Sequence, residues 1–405
     1  MKNIVADLAR GEFRNLELLN FWTLDSGRWW ECPQCVGIGT PADRLLRLVH
    51  QARKAIDEAR RRATLRRDVK LFFPIYNDTI APPSRPLPHG FDTRRNIGTY
   101  FRTRRCYIHA LDDPSCIEDN TPHVKTRQGW LQEPVSYHGE LCVGEYCNVS
   151  AMKSLPVLHT RTMPRYIRAY YDWGFRHFHY MHVSTRLLGS RRFNEYLLAR
   201  LLWDTSADGP ALLDEYLRDF YGPAAGPMAR FYERLEFAMS PVKQWKHVSN
   251  AFTRRVNSDA AELFATTHVR LETRGPGPDD GVDLAESLEA LAECRQLMDE
   301  CLKLELLTPV RRRLEEDNRN LRYGENTVKL YDSVARAILA KRAGDREGAV
   351  RHSRAGIPCA RALLAETELV SASSSHANAK NGLDASLIEG GWGKRAKELG
   401  VTLDF

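Results

Sequence analysis

The chain has 405 residues, 43% apolar and 27% charged, which leaves room for about two or three domains with buried cores. Its net charge is +7, but the 59 Lys and Arg are spread among 52 Asp and Glu instead of forming a basic face with interleaved aromatics, so a nucleic-acid partner is not expected. No apolar run approaches the ~20 residues of a membrane span, and nine cysteines do not make a disulfide scaffold. The N-terminal MKNIVADLARGEFRN lacks the apolar stretch of a signal peptide, so the chain as written is expected in the cytoplasm, with export expected only if this N-terminus is incomplete.

Five short runs rich in aromatic and branched residues read as strands: Asn15–Leu24, Val69–Asn77, Arg105–Leu111, Glu140–Cys147 and His177–Val183. Between the first two, Leu45, Leu48, Val49, Ala52, Ile56 and Ala59 recur at helical spacing and predict a helix over Pro41–Ala63. Pro41 suits its first turn, where a missing N–H costs nothing. A second helix is expected over Thr162–Trp173, ended by Gly174. Strands alternating with helices predict parallel pairing.

After about residue 190 the period becomes 3.6. Helices are expected over Phe193–Trp203, from an Asp208 cap to Gly222 with Leu213, Tyr216, Leu217 and Phe220 buried, and over Pro227–Phe237. Arg274–Asp283 is rich in Gly, Pro and Asp and reads as a linker. Long helices follow at Leu284–Leu306 and Pro309–Arg342, then one over Asp345–Leu369, broken near Pro358. Ser371–Gly382 reads as a polar, mobile stretch. The expected organisation is therefore a barrel portion over 1–190, a helical extension over 191–273, a bundle over 284–370 and a tail over 371–405.

A closed (β/α)₈ barrel needs eight strands and about 250 residues. Five strands in the first 190 residues predict a partial barrel of TIM type, whose earlier units precede this chain, followed by an all-α C-terminal domain.

In parallel α/β folds the reactive groups sit at the C-terminal ends of the strands. The strand ends supply Asp25, Arg28, Trp29, Trp30 and Glu31; Tyr76, Asn77 and Asp78; Tyr107 and His109, with Arg105 beside them; Glu145, Tyr146 and Asn148; and His179, Tyr180 and His182. Aromatic faces stack on sugar C–H surfaces, and polar groups bind hydroxyls. Two carboxylates flanking one bond are the minimum for glycoside hydrolysis, one protonating the leaving oxygen and the other attacking or activating water. Asp25 and Glu145 are the expected pair, and the competing reading makes them structural partners of Arg28 or Arg105. Expected substrate contacts are Arg28, Trp30, Tyr76, Arg105, Tyr107, His109, Tyr146, Asn148 and His182.

Cys32 and Cys35 form a CPxC pair, and Cys106 and Cys116 a second pair, which together with His109 suggest a structural zinc site; redox or purely structural uses compete. No other cofactor is expected. Cys142 and Cys147 read as small apolar filler. No phosphate-binding loop, dinucleotide fingerprint or HExxH is present.

Four blocks carry a resemblance: WWECPQC (Trp29–Cys35), RCYIHALDDPSC (Arg105–Cys116), the stretch from Gly144 to Asp204, and LLDEYLRDFYGPAAGPM (Leu212–Met228). Together they resemble a bacterial domain family of unknown function found in glycoside-hydrolase-like proteins, related to α-glucuronidase and β-hexosaminidase barrels. The resemblance covers about residues 16–240. It implies a barrel with earlier strands and a carbohydrate-active enzyme. Ser26 after Asp25 departs from the adjacent Asp-Glu pair of hexosaminidases, and Cys147 stands where an aromatic is expected. The nearby Arg28, Arg105 and His109 suit a uronate carboxylate. The alternatives are a non-catalytic sugar-binding or degenerate chain, and a helical interaction module in the second half. The sequence leaves sugar, linkage and oligomeric state open.

Overall fold

The computed structural model describes residues 1–22, 29–101, 107, 109–114, 117–145, 155–180, 188–239 and 284–371, with Lys397, Gly400 and Val401. The chain divides into two compact units. The first takes Met1–Arg105, Leu111–Tyr146 and Arg168–Met181; the second takes Cys106–Ala110, Cys147–Ile167 and His182–Phe405.

The first unit opens with helix α1 (Lys2–Arg10), strand β1 (Leu18–Asn20), the short helix α2 (Pro33–Ile38) and the long helix α3 (Pro41–Arg61). Helix α3 starts where its sequence allows two orphan amides to be satisfied. Thr40 N–H donates to the Asp43 carboxylate at 2.7 Å, and Asp43 N–H donates to the Thr40 hydroxyl at 3.3 Å, a capping box with Pro41 inside it. Leu45, Leu46, Val49, Ala52, Ile56 and Ala59 are buried along it, whereas Leu48 is exposed. Arg53, also buried, donates to Val69 O at 2.6 Å and to Asp57 at 2.8 Å, which ties the helix to the entry of the next strand. Arg67 holds the N-terminal segment by donating to Leu8 O, Phe13 O and Leu16 O.

Then follow β2 (Lys70–Ile75), β3 (Asn96–Phe101), helix α4 (Ile117–Leu131), β4 (Leu141–Glu145), helix α5 (Met163–Asp172) and β5 (Phe175–Tyr180). Helix α5 is divided between the two units. The five strands make one all-parallel sheet in the order β1-β2-β3-β4-β5. A doubly wound sheet would reverse direction at a switch point. Strictly sequential order is the winding of a barrel wall, and the sheet is a half-barrel of five strands.

Strand alternation separates two faces. Leu71, Phe73, Ile75, Tyr100, Leu141 and Val143 lie buried on the face that meets the helices. There Phe73 packs against Phe91, Trp130 and Tyr137 with ring centroids 6.1–6.4 Å apart. The other face carries Lys70, Phe72, Thr99, Cys142 and His177. On it the Glu140 carboxylate joins Lys70 Nζ (3.1 Å) and His177 Nε2 (2.8 Å).

Four of the expected strands form near their predicted places. The third does not: β3 is Asn96–Phe101, and Arg105–Leu111 contributes nothing to the sheet among its described residues. NIGTYF reads weakly as a strand because of its glycine. In the fold that glycine is required, since a Cβ on Gly98 would lie 2.7 Å from Ile75 and 3.2 Å from both Leu141 and Phe73. Helix α4 was not expected, because Pro122 and a near-absent apolar periodicity hide it.

From Arg192 on, the described residues of the second unit form α6 (Arg192–Trp203), α7 (Gly209–Tyr221), α8 (Ala225–Ala238), α9 (Ala285–Lys303), α10 (Thr308–Arg342), α11 (Arg346–Ala355) and α12 (Ile357–Ser371). Met228, Phe231, Tyr232 and Leu235 of α8 are buried, as are Leu291, Cys294, Met298 and Cys301 of α9. The stripe of α7 is Leu212, Tyr216, Leu217 and Tyr221, shifted from the expected set by the half-buried Leu213 and Phe220. Asp208 stands at the N-cap of α7 without a side-chain cap bond, and Gly222 ends the helix at φ +52°. The break before Pro358 falls at Gly356. The expected linker 274–283 lies outside the described residues, as does the expected mobile stretch beyond Ser371. No described helix is long and apolar enough to cross a membrane.

Candidate active site

The strand ends were the expected place for chemistry, and β2 shows how the sequence builds one. Beyond Ile75 the chain turns at once, with Asn77 at φ +45°, a left-handed conformation that asparagine tolerates. Thr79 closes the turn: its hydroxyl donates to Pro74 O at 3.0 Å and accepts from Tyr76 N–H at 3.3 Å. Asp78 is thereby held at the strand end, where Trp29 Nε1 donates to its Oδ2 at 3.2 Å. Tyr76 meets Trp22, which follows β1, with ring centroids 5.8 Å apart and tilted by 45°. All four side chains are half-buried. Two indoles, a phenol and a carboxylate thus gather at the C-terminal ends of β1 and β2.

The end of β4 is built differently. Glu145 is 1% exposed. Its parity puts it on the helix-facing side with Leu141 and Val143. There the Tyr170 hydroxyl of α5 donates to Glu145 Oε1. The same hydroxyl lies 3.2 Å from His123 Nε2 of α4. Tyr100 of β3 donates to the His123 carbonyl at 2.7 Å. His123 and Tyr170 are each 2% exposed. The carboxylate therefore sits in a closed polar chain linking β3, α4, β4 and α5. Such a chain can fix a rotamer but does not open onto solvent.

At the end of β5, burial holds His179 below the usual histidine range, which favours a neutral imidazole near pH 7.

Asp25, Arg28, Arg105, Tyr146, Asn148, His182, Cys106 and Cys116 lie outside the described residues. Of the rest, Tyr76 joins the strand-end cluster, and Trp30 is 79% exposed. Tyr107 and His109 are not on a sheet strand. They belong to the second unit, where Tyr107 is buried and its carbonyl accepts from the Thr162 hydroxyl at 2.9 Å, while His109 is half-buried. Asp78 and Trp29 belonged to the strand-end shortlist but not to the expected contacts. Trp22, Tyr170 and His123 were missed. Trp22 carried a usable signal, since it stands two residues beyond Asn20, the last residue of β1.

Cys32 is exposed and Cys35 half-buried, both unbridged, at the start of α2. The Cys35 backbone N–H and thiol lower the Cys32 pKa, and the same thiol contact raises that of Cys35. Among the described residues no three His, Cys, Asp or Glu side chains gather as metal ligands. Cys142 fills the sheet interior, where burial pushes its thiol up to about 12. Cys147 lies outside the described residues.

Residues 117–234 match the family model of a domain of unknown function, DUF4838. This stretch runs from α4 into α8. Among solved structures the chain is similar to a GH138 enzyme targeting pectin rhamnogalacturonan II, at 11% identity and a TM-score of 0.58. The match covers 98% of this chain and 50% of that one, so the chain spans half the length of that structure. At this identity the likeness is one of fold alone. No curated protein matches the chain.

Proposed function

We propose that the chain supplies part of the barrel of a glycoside hydrolase acting on an oligosaccharide or polysaccharide that contains uronic acid. The observation that carries this reading is the cluster of Trp22, Trp29, Tyr76 and Asp78 at the strand ends. Tilted aromatic faces suit the C–H surface of a sugar ring, and a half-buried carboxylate beside them can reach a hydroxyl or a glycosidic oxygen. The fold likeness to an enzyme that targets pectin supports a carbohydrate substrate.

In this reading Asp25 and Asp78 are the two catalytic carboxylates. One protonates the departing oxygen, and the other attacks the anomeric carbon or activates water. Glu145 is assigned a positioning role, because a group that exchanges a proton with substrate must come within hydrogen-bond reach of it. Through Tyr170, Glu145 holds β4 against α4 and α5 and so sets the strand end that carries Tyr146 in the sequence.

The test is turnover of aryl-glycoside and aryl-glucuronoside panels by the full-length protein, its Asp25→Asn and Asp78→Asn variants, and Glu145→Gln. Loss of turnover in the first two, with a smaller fall in the third, supports the assignment. Undiminished turnover in both Asp variants overturns it. Sugar binding without turnover in the unaltered protein would favour a binding-only chain.

A further inference from the structure

Helix α3 has a second polar face, independent of the strand-end cluster and of the function proposed for it. Arg47, His50 and Lys54 recur at helical spacing and share one side. Opposite them runs the connection between β2 and β3, which brings Arg85 and His89 alongside. With Asp43 these residues line a cavity of about 410 Å³. That volume lies within the ordinary range of small-molecule sites, about 300–1,000 Å³.

The charges in this cavity do not cancel. Asp43 is its one acid, and that carboxylate is already committed. It accepts from Thr40 N–H and hydroxyl (2.7 and 2.8 Å), from Ser84 N–H and hydroxyl (3.3 and 2.7 Å), and from Arg85 N–H (3.1 Å). Burial pushes its pKa up, but the hydrogen bonds from Ser84 and Thr40 outweigh it and hold the pKa below the usual value. The Arg85 guanidinium donates to Gly37 O at 2.9 Å. Neither Arg47 nor Lys54 has a carboxylate partner among the described residues.

The ring of His50 forms another part of the wall. His50 is 94% buried and stacks on Phe91 at 6.1 Å, yet its Nδ1 has no hydrogen-bond partner. That nitrogen is closed to solvent, so it is other atoms of the His50 ring that meet the cavity. Burial and the charges of Lys54 and His89 hold the ring below its ordinary pKa. An anion in the cavity would offset that repulsion.

We propose that this cavity is a binding site for an oxyanion carried on a sugar-sized molecule, a carboxylate or a phosphate ester, with Arg47 and Lys54 as its main cationic contacts and the His50 ring as part of its wall. Guanidinium and ammonium groups together suit such a ligand, because the first offers a planar fork and the second a point charge.

The experiment is calorimetric titration of the full chain at low ionic strength with inorganic phosphate, galacturonate and neutral galactose. It is repeated on the double variant Arg47→Ala/Lys54→Ala. Both positions are exposed, so the variant is expected to melt as the unaltered protein does. Saturable binding of an anion, absent with galactose and weakened about tenfold or more in the double variant, supports the site. Phosphate alone would identify a phosphate ester as the natural group, and galacturonate alone a carboxylate. The His50 ring signals should move with the bound anion in the unaltered protein and stay still in the variant. Equal binding of galactose, no saturable anion binding, or an unweakened double variant would overturn the proposal.

Discussion

The ends of β2 and β4 differ in where each places its acid. After β2, Asp78 stands past the strand on a turn and meets the indole of Trp29, half-exposed. At β4, Glu145 is the last strand residue, shares its face with Val143, and is closed in by Tyr170 and His123. In sequence the two look alike, an acid at the end of an apolar run. The difference teaches that a strand-end carboxylate is open or closed in according to whether a turn carries it past the strand, as with Asp78, or strand alternation aims it at the helices, as with Glu145.

The largest effect is expected at the open end. Asp78→Asn should lower kcat/KM by about 10²–10⁴-fold while leaving stability within ~0.5 kcal/mol, as measured by steady-state kinetics and urea unfolding. A fall of less than tenfold would break the contrast.

A third carboxylate sharpens it from the helical unit. Asp317 of α10 is fully buried and accepts from the Tyr221 hydroxyl at 2.6 Å. Burial raises its pKa from 3.8 to about 7, against the opposing effects of that hydrogen bond and the Arg192 charge. The folded state therefore binds the proton more tightly than the unfolded one. The resulting stabilisation is fully present below the unfolded pKa near 3.8 and is lost as pH rises through about 7. Stability of the second unit should fall by on the order of a few kcal/mol across this window, and Asp317→Asn should flatten the decline. Urea unfolding at several pH values checks it, and an unchanged pH slope in the variant would count against it.

At the closed end, Tyr170→Phe removes the donor to a buried carboxylate and should destabilise by about 1–3 kcal/mol. Activity per folded molecule should drop less than in Asp78→Asn. The smallest change is expected for Trp22→Leu, which removes a stacking face. KM should rise by about three- to tenfold with kcat little altered.

Much of the fold was legible because its signals are local. The start of α3 at Pro41, its apolar stripe and the helical runs that become α7 and α8 all follow from spacing. The third strand was not, because Gly98 lowers strand propensity locally and pays it back only when β2 and β4 close on either side. For the site, position after a strand was enough to find Tyr76 and to shortlist Asp78 and Trp29. The partnership of Trp22 with Tyr76, and of Tyr170 with Glu145, joins residues 54 and 25 positions apart, which spacing alone does not reveal.

By itself, the sequence determined the alternation of strands and helices in the first half, the helical second half, and which residues stand near strand ends. These rest on periodicity and on backbone preferences within a few residues. Only the tertiary structure decided that β3 is Asn96–Phe101, that Glu145 turns toward Tyr170 and His123, and that Arg47 and Lys54 share a cavity with Arg85. Each of those depends on which distant backbone the chain packs against, and the strand pairing and burial that settle it come into being only when the sheet and its helices assemble.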